Sequence, residues 1–498
     1  MVQAISARTY GNWRRPATAG LMGLGSLGTG VMLGGLISMV LVIMAAGLAA
    51  GLVVFVALVG ALASVAVKDV HETSLLERLT TRAAHKLAVD RGATLYRAGP
   101  LGQVPWGTCQ LPGLAAALKV SEHTDAYGRR FVLVSAPATR TYSVVFAADP
   151  DGAALVDRDQ IDVWVANWGQ WLADLGDEPG VEAAAVTIET APDTGHRLAK
   201  QVQRMIDPNA PVFARQALED IVATYPAGSS NLQAWVSVTF SAVDMSGRRR
   251  GPEEMARDLA ARLAGLTGTL TATGAGAVRP VAASELCEMV RIAYDPVIAP
   301  VVAEAHVAGA GTELSWTDIG PAAHDATWDA YHHDSGWSVT WQMSGAPRGA
   351  VQSGVLARLL APHRDIDRKR VTLLYRPIDP ARAAAIVEAD RRAAQFIAAS
   401  SHKPTARSLL DTRSAETTAA EEAAGAGLVN FGLLVTATVT SRDRLPEARA
   451  AVDTLGAAAR LRFRPCYGAQ DSAFAAALPL GIVLPKHLSS AARLKDKL

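Results

Sequence analysis

Six side chains able to offer nitrogen or oxygen to a cation fall within eleven positions of this 498-residue chain: His324, Asp325, Asp329, His332, His333 and Asp334. If they converged, their imidazoles and carboxylates would suit a divalent metal. The plainer reading is a solvated loop ahead of a strand that starts near Trp337. No H-E-x-x-H zinc helix, no G-x-S-x-G nucleophile elbow and no Gly-Lys dipeptide occurs, so the Walker-type phosphate cradle is missing from the sequence. Trp164, Trp168 and Trp171 could stack a base or a sugar, but their helical spacing marks them as a buried face. Arg248-Arg249-Arg250 carries charge that would meet a phosphate. It reads better as the solvated turn before a helix whose start is set by Gly251-Pro252. The run from Arg364 to Arg370 mixes signs and suits a protein partner better than a nucleic-acid backbone. Cys109, Cys287 and Cys466 are too few and too scattered for a zinc cluster or a disulfide framework, which fits a reducing compartment. The expectation is therefore no catalytic residue, no cofactor and no metal ligand.

The elements that would position any chemistry begin with an uncharged segment. Between Arg15 and Lys68 there is no Asp, Glu, Lys, Arg or His. A bilayer crossing takes about 20 residues, so two crossings fit, expected at 20–43 and 47–67 with a tight turn within 45–51. A secretory signal is the competing reading, but the stretch far exceeds the roughly 7–15 apolar residues such a signal uses. Arg8, Arg14 and Arg15 before the pair, with Lys68, Arg78, Arg82 and Lys86 after it, put both ends in the cytoplasm, leaving a multi-pass protein of the inner (plasma) membrane. Trp13 suits the headgroup level. Within the segment, Gly23-Leu24-Gly25-Ser26-Leu27-Gly28 spells a dinucleotide fingerprint, yet no strand precedes it. Gly30/Gly34 and Gly47/Gly51 have the spacing of close helix contacts instead.

The domain reading is a basic cytoplasmic segment at 1–19, the transmembrane α-helical hairpin at 20–67, and two cytoplasmic α/β (α+β) subdomains at 68–300 and 301–498. The polar stretch 400–422 is expected to be a mobile insertion with helical pieces. Strands are expected at 131–134, 141–147, 181–188, 234–243, 337–343, 370–375, 428–440 and 460–464. Helices are expected at 157–175, 252–266, 282–293, 351–360, 381–399 and 445–458, with a short one before Pro479. Such alternation argues for sheets covered by helices. With 48 Lys+Arg against 47 Asp+Glu, no global charge favours nucleic acid, and direct nucleic-acid binding is not expected.

Arg8-Thr9-Tyr10-Gly11-Asn12-Trp13-Arg14-Arg15-Pro16, followed at once by two apolar helices, resembles the integral membrane protein family of actinobacterial conjugative elements. The hairpin is similar to the PrgI-type small membrane component of type IV secretion systems. Three phrases resemble the amino-terminal, non-motor domain of the TraC/TrbE-class conjugation ATPase. They are Pro137-Ala138-Thr139-Arg140-Thr141-Tyr142, Lys369-Arg370-Val371-Thr372-Leu373-Leu374-Tyr375-Arg376-Pro377, and Gln470-Asp471-Ser472-Ala473-Phe474 with Leu478-Pro479-Leu480-Gly481. In those ATPases a motor follows, whereas this sequence stops at Leu498. The resemblance implies a platform that contacts membrane lipids, the conjugation ATPase and other secretion-system membrane subunits, with hydrolysis left to a separate subunit. Assembly into an oligomer is compatible with that role. Two other classes stay open: an EccE-like subunit of a type VII secretion complex, which also joins two amino-terminal helices to a large cytoplasmic domain, and a membrane-anchored enzyme.

Overall fold

The computed structural model describes residues 8–13, 25–67, 69–71, 73–99, 102, 108–152, 155–193, 195–207, 209–224, 230–244, 246–347, 349–400 and 405–488. Arg14, Arg15, Lys68 and the first two residues of the apparent dinucleotide fingerprint, Gly23 and Leu24, lie outside them.

Two helices open the chain, α1 (Gly25–Ala46, 22 residues) and α2 (Leu48–Ala66, 19 residues). At 1.5 Å per residue they run about 33 and 28 Å, against a hydrocarbon core of about 30 Å. Both are long and apolar enough to cross a bilayer. The turn is shorter than the expected 45–51: Gly47 alone breaks the helix, at φ 84°, a left-handed conformation that glycine adopts without Cβ strain. Of the four glycines expected in close helix contacts, only Gly51 makes one, and Gly35, which was not expected, makes another. A Cβ on Gly35 would come within 2.2 Å of Leu58 and one on Gly51 within 2.2 Å of Ile43, while Gly30 and Gly34 face open space.

After the hairpin, α3 (Leu75–Asp90) starts in a capping box, in which Ser74 accepts from the Glu77 amide and Glu77 accepts from the Ser74 amide. Strands β1 (Leu95–Arg97), β2 (Lys119–Thr124), β3 (Arg130–Ala136) and β4 (Thr141–Asp149) follow, then α4 (Arg158–Asp177), β5 (Val181–Pro192), α5 (His196–Met205), α6 (Val212–Thr224) and β6 (Ser230–Ser241). Next comes α7 (Pro252–Leu270), with proline in its first turn and Glu253 and Glu254 at the positive end of its dipole. Then come β7 (Ala277–Pro280), α8 (Ala283–Tyr294), α9 (Ala299–Ala308), β8 (Ala323–Ala326), β9 (Tyr331–His333) and β10 (Gly336–Gly345). The expected helix at 351–360 shrinks to a 3-10 turn and α10 (Ala357–Leu360), because Val351 is held in a bridge with Tyr10. The chain continues through β11 (Arg368–Pro377), α11 (Pro380–Ser400), α12 (Ala406–Ala423), β12 (Val429–Val439), α13 (Leu445–Ala458), β13 (Arg462–Pro465) and α14 (Gln470–Ala476).

All thirteen strands among the described residues join one sheet, ordered β1-β8-β9-β10-β12-β11-β5-β6-β4-β3-β2, with β13 on β10 and β7 on β4. Every pairing between these strands is antiparallel, so the alternation of strands and helices builds an antiparallel α+β layer rather than parallel crossover units. The expected subdomains share this sheet. β11 pairs with β5 along Lys369 to Tyr375, and β1 reaches β8 at the far edge. The stretch 406–423, within the expected mobile insertion with helical pieces, is one continuous helix capped by Thr405 and packed on α11.

Alternating side chains divide the sheet into two faces. On one, Trp235, Val145 and Leu434 pack with Val290 of α8 and with Phe474 and Leu478 of the carboxy-terminal segment. On the other, Val144, Phe146 and Val238 pack with Trp171 of α4 and Leu259 and Leu263 of α7. Val339, Val435 and Ala437 meet Val452 of α13 farther along that face. The tryptophan stripe belongs there: Trp168 stacks on Trp171 with ring centroids 4.8 Å apart.

Candidate functional site

The His/Asp run is not a solvated loop. It forms the β8–β9 hairpin, in which His324 lies opposite His333 and Asp325 opposite His332. His333 is fully buried; its Nδ1 is 2.6 Å from the Tyr294 carbonyl and its Nε2 2.7 Å from Ser338 Oγ. Burial pulls its pKa down to about 3, leaving a neutral ring that donates to the carbonyl and accepts from the hydroxyl. His324 is buried between Tyr96 and Tyr331, and burial lowers it to about 4. His332 stacks on Trp337 at 4.1 Å. Asp329 pairs with Arg449 at 2.7 Å, and Asp334 pairs with Arg291 at 2.9 Å while accepting from the Ala322 amide. Among the described residues no group of three or more His, Cys, Asp or Glu is placed to hold a metal ion. The sequence signal that could have revealed this is the alternation around Tyr331 and His333, which are buried while His332 is not.

The remaining chemical candidates are also consumed locally. Arg248 pairs with Asp244 and Glu254, and Arg250 with Asp258 at 3.0 Å, so the arginine run does form the turn into α7. In the mixed-sign run, Arg368 and Arg370 turn inward onto Glu189 of β5. The three cysteines are free thiols, and burial pushes Cys287 up to about 11 and Cys466 up to about 12, the opposite of an activated nucleophile. A cavity of about 290 Å³ lies between the carboxy-terminal segment and the sheet; Arg376, Tyr375, Ser237, Thr239 and Asn430 are on its lining, which holds no carboxylate, imidazole or thiol.

What the structure does build is a grip on both flanks of the helical hairpin. Ahead of it, Tyr10 exchanges two backbone hydrogen bonds of 2.7 Å with Val351 and donates its hydroxyl to Asp162 of α4 at 2.6 Å. Asn12 takes the left-handed φ of 63°; its amide donates to Thr418 of α12 at 3.0 Å and its carbonyl accepts from Ser414. Gly11 leaves little room at this crossing, since a Cβ there would sit 3.3 Å from the Ala350 Cα. Trp13, expected at the lipid headgroups, packs against Phe431 of β12 with ring centroids 5.4 Å apart. Behind the hairpin, Asp69 accepts from the amides of His71 and Thr73 at 2.8 and 3.2 Å and pairs with Arg78. Arg462 of β13 donates to the Val70 carbonyl at 2.7 Å, and His85 of α3 meets Trp328 at 5.3 Å. Both connections close on the sheet region around β10, β12 and β13.

Sequence reasoning singled out residues 8–16 as a phrase but missed what it holds, because its partners lie more than 150 positions away at Asp162 and some 400 away at Ser414 and Thr418. The chain matches a family model described as a domain of unknown function, DUF8461, over residues 17–77, the hairpin and the start of α3. No curated protein matches the chain.

Proposed function

We propose that this chain is a non-catalytic platform of the inner membrane in a type IV secretion-like conjugative transfer machine. In this reading α1 and α2 cross the bilayer, the amino terminus and the sheet-bearing body are cytoplasmic, and cytoplasmic ATPase subunits dock on that body. The observation that carries it is the double grip: residues 10–13 on one side and 69–85 on the other are both fastened to one sheet. A flexible tether would localise an enzyme equally well, whereas chain fastened to the body on both sides of the helix pair suits a platform. Arg8 before the pair and Arg78, Arg82 and Lys86 after it support cytoplasmic flanks through the positive-inside bias. Conjugation itself is supported by the resemblance of residues 8–16, 137–142, 369–377 and 470–481.

Purification from mild detergent tests the assignment. Retention of a motor ATPase bearing the Gly-x-x-x-x-Gly-Lys phosphate cradle supports it; retention of EccC-type partners overturns it in favour of a type VII complex. ATP turnover that survives repurification and vanishes when residues of this chain are mutated overturns the non-catalytic reading. For topology, Tyr127→Cys places a thiol at an exposed turn. That thiol should resist an impermeant reagent applied to intact cells and react after lysis.

A further inference from the structure

Helix α3 turns its polar side toward the body and its apolar side outward. Glu77, Arg78, Thr81 and His85 are half-buried, held through the Arg78–Asp69 pair and the contact of His85 with Trp328. Opposite them, Leu76, Leu79, Ala83 and Leu87 recur at i, i+3, i+7 and i+11, the positions of one helical face. The three leucines are 46%, 60% and 53% exposed, and no residue of the helix is buried. Arg82 and Lys86, both exposed, border this stripe. An apolar face of about three turns with a basic margin is the pattern of a helix lying in a bilayer interface. The chain also dictates where that helix can be. The link from α2 to α3 is drawn together by the Asp69 amide, which donates to the Thr73 carbonyl at 3.1 Å, and α3 touches α2, so α3 begins close to the level where α2 leaves the hydrocarbon. We infer that α3 lies along the cytoplasmic membrane surface, with its leucine stripe at the headgroup–acyl boundary and Arg82 and Lys86 on anionic lipid headgroups. This rests on the reading of α1 and α2 as a transmembrane hairpin.

The test uses the full chain in nanodiscs of phosphatidylcholine and alkyne-tagged phosphatidylglycerol. The photocrosslinking residue p-benzoylphenylalanine is placed singly at Leu79, at Leu41 within α1, or at Tyr127. Lipid adducts are expected from Leu79 and Leu41 and not from Tyr127. Adducts from Leu41 without any from Leu79 overturn the inference and leave the hairpin reading standing; absence from both overturns the two together. A crosslinked dimer from Leu79 overturns it as well, because a second copy then covers the stripe. Combining Arg82→Glu with Lys86→Glu should lower the Leu79 adduct several-fold without changing that from Leu41, and an unchanged yield overturns the headgroup role.

Discussion

Replacing Glu189 by glutamine should destabilise the sheet-bearing body more than any single surface change. The carboxylate lies at the centre of the sheet, opposite Arg370 in the β5–β11 register, and is bonded by Arg368 through one oxygen and by Arg370 at 2.5 Å through the other. The Glu189 and Arg370 side chains are nearly inaccessible and that of Arg368 is partly exposed; Arg370 also spreads over the Phe474 ring at 5.4 Å. Burial alone would raise the Glu189 pKa, but the two guanidinium groups overcome it and bring it down to about 2 from 4.5. That preference for the charged form corresponds to about 3 kcal/mol. Breaking a buried ion pair on one side costs about 3–5 kcal/mol, because the partner charges stay buried without a counter-ion. Glu189→Gln is therefore expected to lower the unfolding free energy of the full chain in mild detergent by about 3 kcal/mol, read from the urea midpoint by tryptophan fluorescence. The pH dependence supplies a second sign. With the folded pKa below the unfolded value, this contribution is complete above pH 4.5 and is lost as the pH falls toward 2. The variant should lack that portion of the acid sensitivity. A loss below about 1 kcal/mol, or an unchanged acid slope, would refute the view that this charge cluster locks β5 to β11.

His333→Ala removes the donor to the Tyr294 carbonyl, leaves the Ser338 hydroxyl with Thr438 as its remaining partner and empties a site walled by Tyr331 and Phe474, so it should cost about 3 kcal/mol, whereas His332→Ala should cost less than about 1. Because burial sets the folded His333 pKa at about 3, below the unfolded 6.5, its stabilisation is complete above pH 6.5 and declines as the pH falls toward 3; equal midpoints for the two variants in urea would contradict the buried placement. Gly51→Leu should lower the aggregation temperature of the detergent-solubilised protein because its side chain collides with Ile43, while Gly34→Leu, which faces open space, should leave it unchanged. Tyr10→Phe deletes the bond to Asp162, and exchange of the paired Tyr10 and Val351 amides should accelerate about tenfold by mass spectrometry; unaltered exchange would remove this hydroxyl from the grip.

The hairpin was legible because a bilayer-length run without charge has few structural solutions, and the longer strands and helices were legible because their periods are strong. What stayed hidden depended on partners distant in sequence. α3 carries an ordinary mixture of leucines and charges, and nothing local says that its polar face packs inward. The hydroxyl of Ser338 and the carbonyl of Tyr294 make a buried His333 affordable, yet neither is visible in a run of His and Asp that reads as solvated. The 400–422 stretch reads only as helical pieces in a mobile insertion because alanines, threonines and serines dominate it, and the Thr405 cap and the facing α11 make α12 one packed helix. Alternation of strand and helix likewise does not determine pairing direction, which is settled where β11 inserts between β5 and β12.

Two of the phrases that carried the family resemblance meet in space, which gives them a physical reason to occur together. The strand phrase at 369–377 presents Arg370 and Thr372 on the sheet face that the carboxy-terminal phrase at 470–481 crosses. Arg370 lies over Phe474, and Thr372 donates to the Ala477 carbonyl at 2.7 Å. Farther along the same crossing, Gln470 accepts from the Thr340 amide at 2.8 Å, and Thr239 donates to the Gly481 carbonyl at 3.2 Å. Gly481 takes φ 69° here, and a Cβ on it would come within 2.0 Å of Ser143, so no larger residue fits. A segment crossing strands rather than joining their edge leaves its carbonyls without ladder partners. The threonines beneath it supply donors instead, as buried backbone groups require. Strand and crossing segment thus impose matching residues on each other, and this packing arrangement is a physical reason for them to occur together.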